Sequence, residues 1–190
     1  MSTTARRRPL IAAAVSLTAA FSLHAGPAHA ARGADRCPAA TTVPTQATLD
    51  EAADAVVCLV NAKRSARGLE ELERDADLAQ AARAHSRDMA RHNYFDHTAR
   101  DGDSVGDRVR KAGYGRPGDG WNVGENLGWG TGDRATPLSL VNAWLASSGH
   151  RENMLKGTFR ELGVGVAAGA PKGSDALPGA TYTLNLGVIR

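Results

Sequence analysis

The chain has 190 residues, 42% hydrophobic and 23% charged, a balance that fits one packed domain and excludes collagen-like, coiled-coil and wholly disordered chains. Its formal charge is +3, but the excess lies in Arg6, Arg7 and Arg8; beyond residue 30, 20 basic residues meet 20 acidic ones. A balanced chain has no net field to draw it to phosphate backbones, so no nucleic-acid partner is expected.

Residues 1–30 read as a secretory signal peptide. The three arginines precede an apolar run from Leu10 to Leu23, and Ala28-His29-Ala30 is a small-x-small cleavage site. The run is short for a bilayer span, so no transmembrane anchor is expected once it is removed, and the mature protein is expected outside the cell. Arg7-Arg8 also fits a twin-arginine leader, which leaves the export route open. Residues 31–47, rich in Ala, Pro and Thr, form an irregular leader.

Cys37 and Cys58 are the only cysteines. In an exported protein such a pair is expected to be bridged, two free buried thiols being the alternative. Closing a loop of about 20 residues stabilises a fold by roughly 3 kcal/mol, and leaves no thiol for nucleophilic catalysis.

From residue 48 the pattern is helical. Thr48 and Glu51 form a capping box, Leu49, Ala53, Val56, Val57 and Val60 recur at helical spacing, and Gly68 stops the helix. A second helix starts near Asp75 with Leu78, Ala82, His85 and Met89 on one face; a third runs from Ser104 to Gly113. Residues 113–133, with eight glycines, read as a long structured loop. Thr136 caps a helix with Pro137 in its first turn and Leu138, Val141, Trp144 and Leu145 as its buried stripe. The period then changes to two: Leu162, Val164 and Val166, and later Tyr182, Leu184, Leu186 and Val188, mark half-buried strands joined across 169–180. Helices first and strands last predict an α+β domain with an antiparallel sheet.

Four histidines lie beyond residue 30. His85, on the apolar face of the second helix, reads as a core histidine bonded to backbone, and His92, near that helix's end, as a structural cation. His97 and His150 stand at element ends, where side chains converge on clefts. Glu125 lies between them in the glycine-rich stretch. Periodicity does not say that the three meet. Arg151 is expected to pair with a buried acid, and Asn126 and Asn153 to bond backbone. Trp121 and Trp129 read as packing under the loop or as a cleft wall. Ser147 and Ser148 terminate the Trp144 helix, and no G-x-S-x-G or H-E-x-x-H motif is present.

In order along the chain come Leu59-Val60-Asn61, Phe95-Asp96-His97, Gly124-Glu125-Asn126-Leu127, Trp144 leading to Ser147-Ser148-Gly149-His150-Arg151-Glu152-Asn153, and Gly163-Val164-Gly165. This series resembles the bacterial branch of the CAP superfamily: cysteine-rich secretory, antigen 5 and pathogenesis-related proteins, also called SCP-like domains. The likeness runs from about Leu49 to the C-terminus, giving a domain at 48–190. It implies an α-β-α sandwich with a small antiparallel sheet flanked by helices. It also implies a large central cleft lined by His97, His150 and Glu125, with a divalent metal such as zinc held by the two histidines. Where eukaryotic members place a second Glu three residues after the helix tryptophan, this chain has Ser147.

Three readings follow. The first is a secreted binding module whose cleft takes a divalent cation and a lipid, small apolar or cell-wall ligand. The second is a zinc-assisted extracellular hydrolase of peptides or esters with Glu125 as general base. The third is a structural or interaction module without a ligand. The first is preferred, and a conventional enzyme is not the favoured reading.

Overall fold

The computed structural model describes Met1, residues 36–171 and residues 178–190. The segment read as a signal peptide beyond Met1, the first residues of the leader (31–35) and the middle of the 169–180 connection lie outside the described residues. The elements in chain order are α1 (Leu49–Ser65), β1 (Glu73–Arg74), α2 (Ala76–His92), α3 (Val105–Ala112), β2 (Trp121–Thr131), a 3₁₀ turn (Gly132–Ala135), α4 (Pro137–Ala146), α5 (Ser148–Leu155), β3 (Glu161–Ala168) and β4 (Gly179–Ile189). The sheet order is β1-β3-β4-β2. β3 and β4 pair antiparallel as anticipated, β2 pairs antiparallel to the other side of β4, and the two-residue edge strand β1 runs parallel to β3. The result is an α+β sandwich with helices on both faces.

Period-two alternation decides what each face buries. Leu162, Val164 and Val166 of β3 and Tyr182, Leu184 and Leu186 of β4 join Val56, Val60, Val141, Trp144, Met154 and Phe159 in the main core beneath α1, α4 and α5. The opposite face meets α2 and α3, where Leu78, Ala81, Val109 and Tyr114 form a second cluster. On that face β3 carries Gly163 and Gly165 because helix α2 lies directly against them. A Cβ on Gly163 would sit 2.0 Å from the backbone nitrogen of Ala79, and one on Gly165 2.1 Å from that of Arg83.

The helix boundaries follow local chemistry. Asp75 caps α2 by accepting from Leu78 N at 2.7 Å. Ser104 and Asp107 form a reciprocal capping box on α3, and Thr136 caps α4 ahead of Pro137. The capping box anticipated at Thr48 does not form. The Thr48 hydroxyl is turned back to accept from Thr45 N at 2.9 Å, so it gives α1 no side-chain cap. Gly68 takes the left-handed conformation, φ +69°, that closes the turn after α1. The Cys37–Cys58 bridge is present, with Cα atoms 5.6 Å apart, and ties the leader to α1.

The largest correction concerns residues 113–133. Their second half is an eleven-residue strand, β2, paired with β4 from Trp121↔Ile189 to Thr131↔Gly179. Its glycines hide the alternation but serve packing: a Cβ on Gly128 would meet Leu140 Cδ1 at 2.5 Å and Trp144 Nε1 at 3.1 Å. Trp144 Nε1 also donates to Leu127 O at 2.8 Å, fixing α4 to β2. A further helix not anticipated from the sequence, α5, follows α4 immediately and carries His150 in its first turn, at an element end as expected.

Candidate functional site

β2 is an edge strand, so residues on either face stand beside the sheet's open border. Glu125 points to the α2/α3 face; Asn126, the next residue, points to the α4/α5 face. The Glu125 side chain is only 2% exposed, a costly place for a carboxylate unless its oxygens are engaged. Both are. His97 Nδ1–H donates to Oε1 at 2.8 Å, and Arg108 Nη2 donates to Oε2 at 2.7 Å.

Arg108 also donates through Nη1 to the backbone oxygens of His97, at 2.8 Å, and Asp103, at 2.9 Å. One guanidinium thus holds both the carboxylate and the turn that carries its histidine partner. Sequence reasoning missed Arg108 and assigned the buried ion pair to Arg151, whose Nη1 instead donates to the exposed helix end at Leu145 O, 2.8 Å. The signal was available: Val105, Arg108, Val109 and Ala112 follow i, i+3, i+4, i+7 spacing. A charge inside an apolar stripe marks a buried, paired group.

From the other face, Asn126 Nδ2 donates to His150 O at 2.9 Å, and Asn153 Nδ2 donates to Asn126 Oδ1 at 3.0 Å. Both bond backbone, as anticipated, but across elements: Asn126 braces the first turn of α5 rather than its own glycine-rich stretch, and Asn153 reaches Glu125 O on β2 at 3.3 Å. The structure brings His97 and Glu125 into contact, while Asn126 holds the backbone of His150 from the opposite face of the same strand. Because a carboxylate only accepts, His97 carries its proton on Nδ1 and turns Nε2 away from Glu125. No described hydrogen bond uses a ring nitrogen of His150.

The two imidazoles are tuned in opposite directions. The hydrogen bond to Glu125 raises the pKa of His97 above its ordinary value, despite partial burial. Burial lowers that of His150, and the positive charge of His97 adds to the effect. The other two histidines are structural, as anticipated. Buried His85 donates through Nε2 to Asp96 O at 2.9 Å, and His92 interacts with Asp88, 2.7 Å between Nδ1 and Oδ1, at the end of α2. Trp121 packs edge-on against Tyr114 with centroids 6.4 Å apart, whereas Trp129 is exposed.

The fit of a metal can be judged from these donors. His97 Nε2 and the ring of His150 are nitrogen donors of the type zinc takes, and Glu125 stands behind His97 as a carboxylate that orients the imidazole. Glu125 itself does not fit as the third ligand, because Arg108 and His97 already take its two oxygens. Among the described residues no group of three or more His, Cys, Asp and Glu side chains is arranged to hold a metal ion. Cavities of about 1080 Å³ and 270 Å³ are present, and neither is lined by His97, Glu125 or His150. No helix among the described residues is long and apolar enough to cross a membrane.

Residues 57–185 match the Cysteine-rich secretory protein family, CAP. The uncharacterized Bacillus subtilis protein YkwD is 40% identical over 110 residues, which are 58% of this chain and 40% of YkwD. The uncharacterized membrane protein YlbC of the same organism is 35% identical over 111 residues, 58% of this chain and 30% of YlbC. The matched region thus spans less than half the length of either relative. Among solved structures, an extracellular protein containing an SCP domain from Bacillus anthracis superposes with a TM-score of 0.59 at 28% identity, over 75% of this chain and 43% of that one. An outer surface protein of Borrelia burgdorferi, at 19% identity, shares the fold with a TM-score of 0.55 over 71% of this chain and 90% of that one.

Proposed function

This chain belongs to the CAP, or cysteine-rich secretory protein, family, and from that premise we propose a secreted binding module. Its His97/His150 pair takes a divalent cation, zinc foremost, with a small apolar or cell-envelope ligand bound beside it. Secretion is supported by the N-terminal signal pattern, by the Cys37–Cys58 bridge and by the likeness to an extracellular SCP-domain protein.

One observation carries the metal reading. Glu125 grips His97 through Nδ1, and Arg108 fixes the far side of the same carboxylate. A buried carboxylate that orients an imidazole and turns its second nitrogen outward is the supporting arrangement of a ligating histidine. His97 and His150 would hold the ion, and a bound ion supplies Lewis acidity to whatever oxygen shares the site. With two protein ligands the affinity is modest, below that of a closed four-ligand site.

The hydrolase reading is less well supported. A general base needs a free lone pair and a path to water. Glu125 is sealed from solvent and bound to Arg108, so taking a proton would cost it a buried charge-assisted hydrogen bond. The family alone does not decide between binding and catalysis.

The test is zinc content after dialysis against a defined zinc buffer, followed by recovery of lipids and wall fragments on the loaded protein. Wild type should retain zinc, and the His97→Ala/His150→Ala double variant should lose it while keeping its fold. Equal, negligible zinc in both would overturn the metal reading.

A further inference from the structure

Among the described residues, the sheet's other edge, beyond β3, has no strand paired to it along most of its length, and Val164 and Val166 line the bottom of a groove there, 4% and 6% exposed. β1 covers only its start. Glu73 N donates to Arg160 O at 2.8 Å and Asp75 N to Leu162 O at 2.9 Å, after which the chain turns away into α2. Peptide groups alternate in direction along a strand, so those of Val164 and Val166 face the same outer edge as that of Leu162. Among the described residues no hydrogen bond reaches them. In place of a further strand there is a groove of about 1080 Å³, with β3 as its floor, α1 as one wall and α2 as the other.

The walls differ in chemistry. The α1 side offers Leu49, Ala53 and Val57, with Asp50 and the Arg74-paired Asp54 also on that helix. The α2 side offers Arg83, Arg87 and Arg91, exposed and four residues apart. Among the described residues these three arginines make no ion pair, whereas Arg74 at the groove's end is already paired with Asp54. Helix α2 tracks β3 in register: Gly163 abuts Ala79, Gly165 abuts Arg83, and Gly169 lies nearest Ala90. Side chains four apart on a helix repeat every ~6 Å, and those two apart on a strand every ~6.6 Å. The arginine row therefore matches alternate residues of a strand laid beside β3.

We infer that this groove is a docking site for an extended peptide segment of a partner protein, added as a strand to β3 and carrying acidic side chains at alternate positions. Its backbone pairs with the peptide groups of Val164 and Val166, its acidic residues face Arg83, Arg87 and Arg91, and its intervening apolar residues face Leu49, Ala53 and Val57. This is strand addition at a free sheet edge, with backbone bonds giving affinity and alternate side chains giving specificity. The site lies across the sheet from His97 and His150 and does not depend on them.

The experiment measures binding to the full chain of a fluorescent acetylated hexapeptide that alternates valine and glutamate. Two control peptides are used, one with lysine for glutamate and one N-methylated at alternate backbone nitrogens. The glutamate peptide should bind at least tenfold more tightly than either control and should slow hydrogen exchange at Val164 and Val166. An R83E/R87E variant, which leaves Arg91 at the helix C-terminus, should lose at least tenfold for the glutamate peptide and gain for the lysine peptide. Equal binding of the glutamate and lysine peptides, or full affinity for the N-methylated one, would overturn the proposal, as would no binding at all. Concentration-dependent dimerisation that protects the same amides would assign the edge to a second copy of this chain and likewise overturn it.

Discussion

Glu125 and Asn126 are consecutive on β2 and therefore serve opposite faces of the sheet: the first holds the side chain of His97, the second the backbone of His150. Because β2 is the border strand, both faces are reached from one edge. Two histidines from different layers are thereby each anchored to neighbouring residues of a single strand.

Replacing Glu125 by Gln should destabilise the protein by about 3 kcal/mol, since it leaves the nearly buried Arg108 guanidinium without its counter-charge. Urea unfolding measures the loss. Arg108→Met together with Glu125→Gln should recover part of it, because no charge is then stranded. A double variant weaker than the sum of the two single changes would argue against this account.

The histidines set opposite pH dependences. The folded pKa of His97 is raised, chiefly by its bond to Glu125. Its contribution is present in full below the unfolded value of about 6.5 and is lost as pH rises through the folded value. Those of His150 and His85 are lowered, chiefly by burial. Their contributions are present above about 6.5 and are lost as pH falls through the folded values. In ring-proton NMR titrations, His97 should therefore titrate at higher pH than His150, and Glu125→Gln should bring the two midpoints together. An unchanged gap in that variant would show that the carboxylate is not its cause.

Zinc uptake should depend on Glu125 even though Glu125 is not placed as a ligand. Removing the group that orients a ligating imidazole costs about 10–100-fold in metal affinity. Titration with a competing chelator should thus rank wild type above Glu125→Gln, and Glu125→Gln above His97→Ala. If Glu125→Gln matched wild type, the carboxylate would have no supporting role.

Reduction of Cys37–Cys58, separated by 21 residues, should lower stability by roughly 3 kcal/mol through the entropy regained by the unfolded chain. Thermal melts with thiol content verified test this. The Cys37→Ser/Cys58→Ser pair should reproduce the reduced protein's melting point.

Gly165→Val should be among the most damaging substitutions in the domain, costing about 3 kcal/mol or more by overpacking. Its Cβ would lie 2.1 Å from Arg83 N and 2.2 Å from Ala82 C, backbone atoms that move only if α2 lifts from the sheet. The same change at Gly68, where nothing lies within 4 Å, should cost only the strain of a left-handed residue. Parallel denaturation curves separate the two.

Much of this was legible in the residues themselves. Caps at Asp75, Ser104 and Thr136, the stripe Leu138–Val141–Trp144 and the alternation in β3 and β4 are local patterns, fixed by hydrogen-bonding needs and periodicities that need no tertiary context. The cysteine pair, and the candidacy of His97, Glu125 and His150, were also readable. β2 was not, because glycines chosen for the close approach of α4 carry no hydrophobic signal. Thr48 was misread because a neighbouring turn competed for its hydroxyl. That Arg108 clamps Glu125, that His97 and His150 are anchored to adjacent residues of β2, and that among the described residues β3 has no strand beside its row of arginines all depend on which strands neighbour which. Sheet order is set by contacts between residues far apart in the chain, and no local periodicity encodes it.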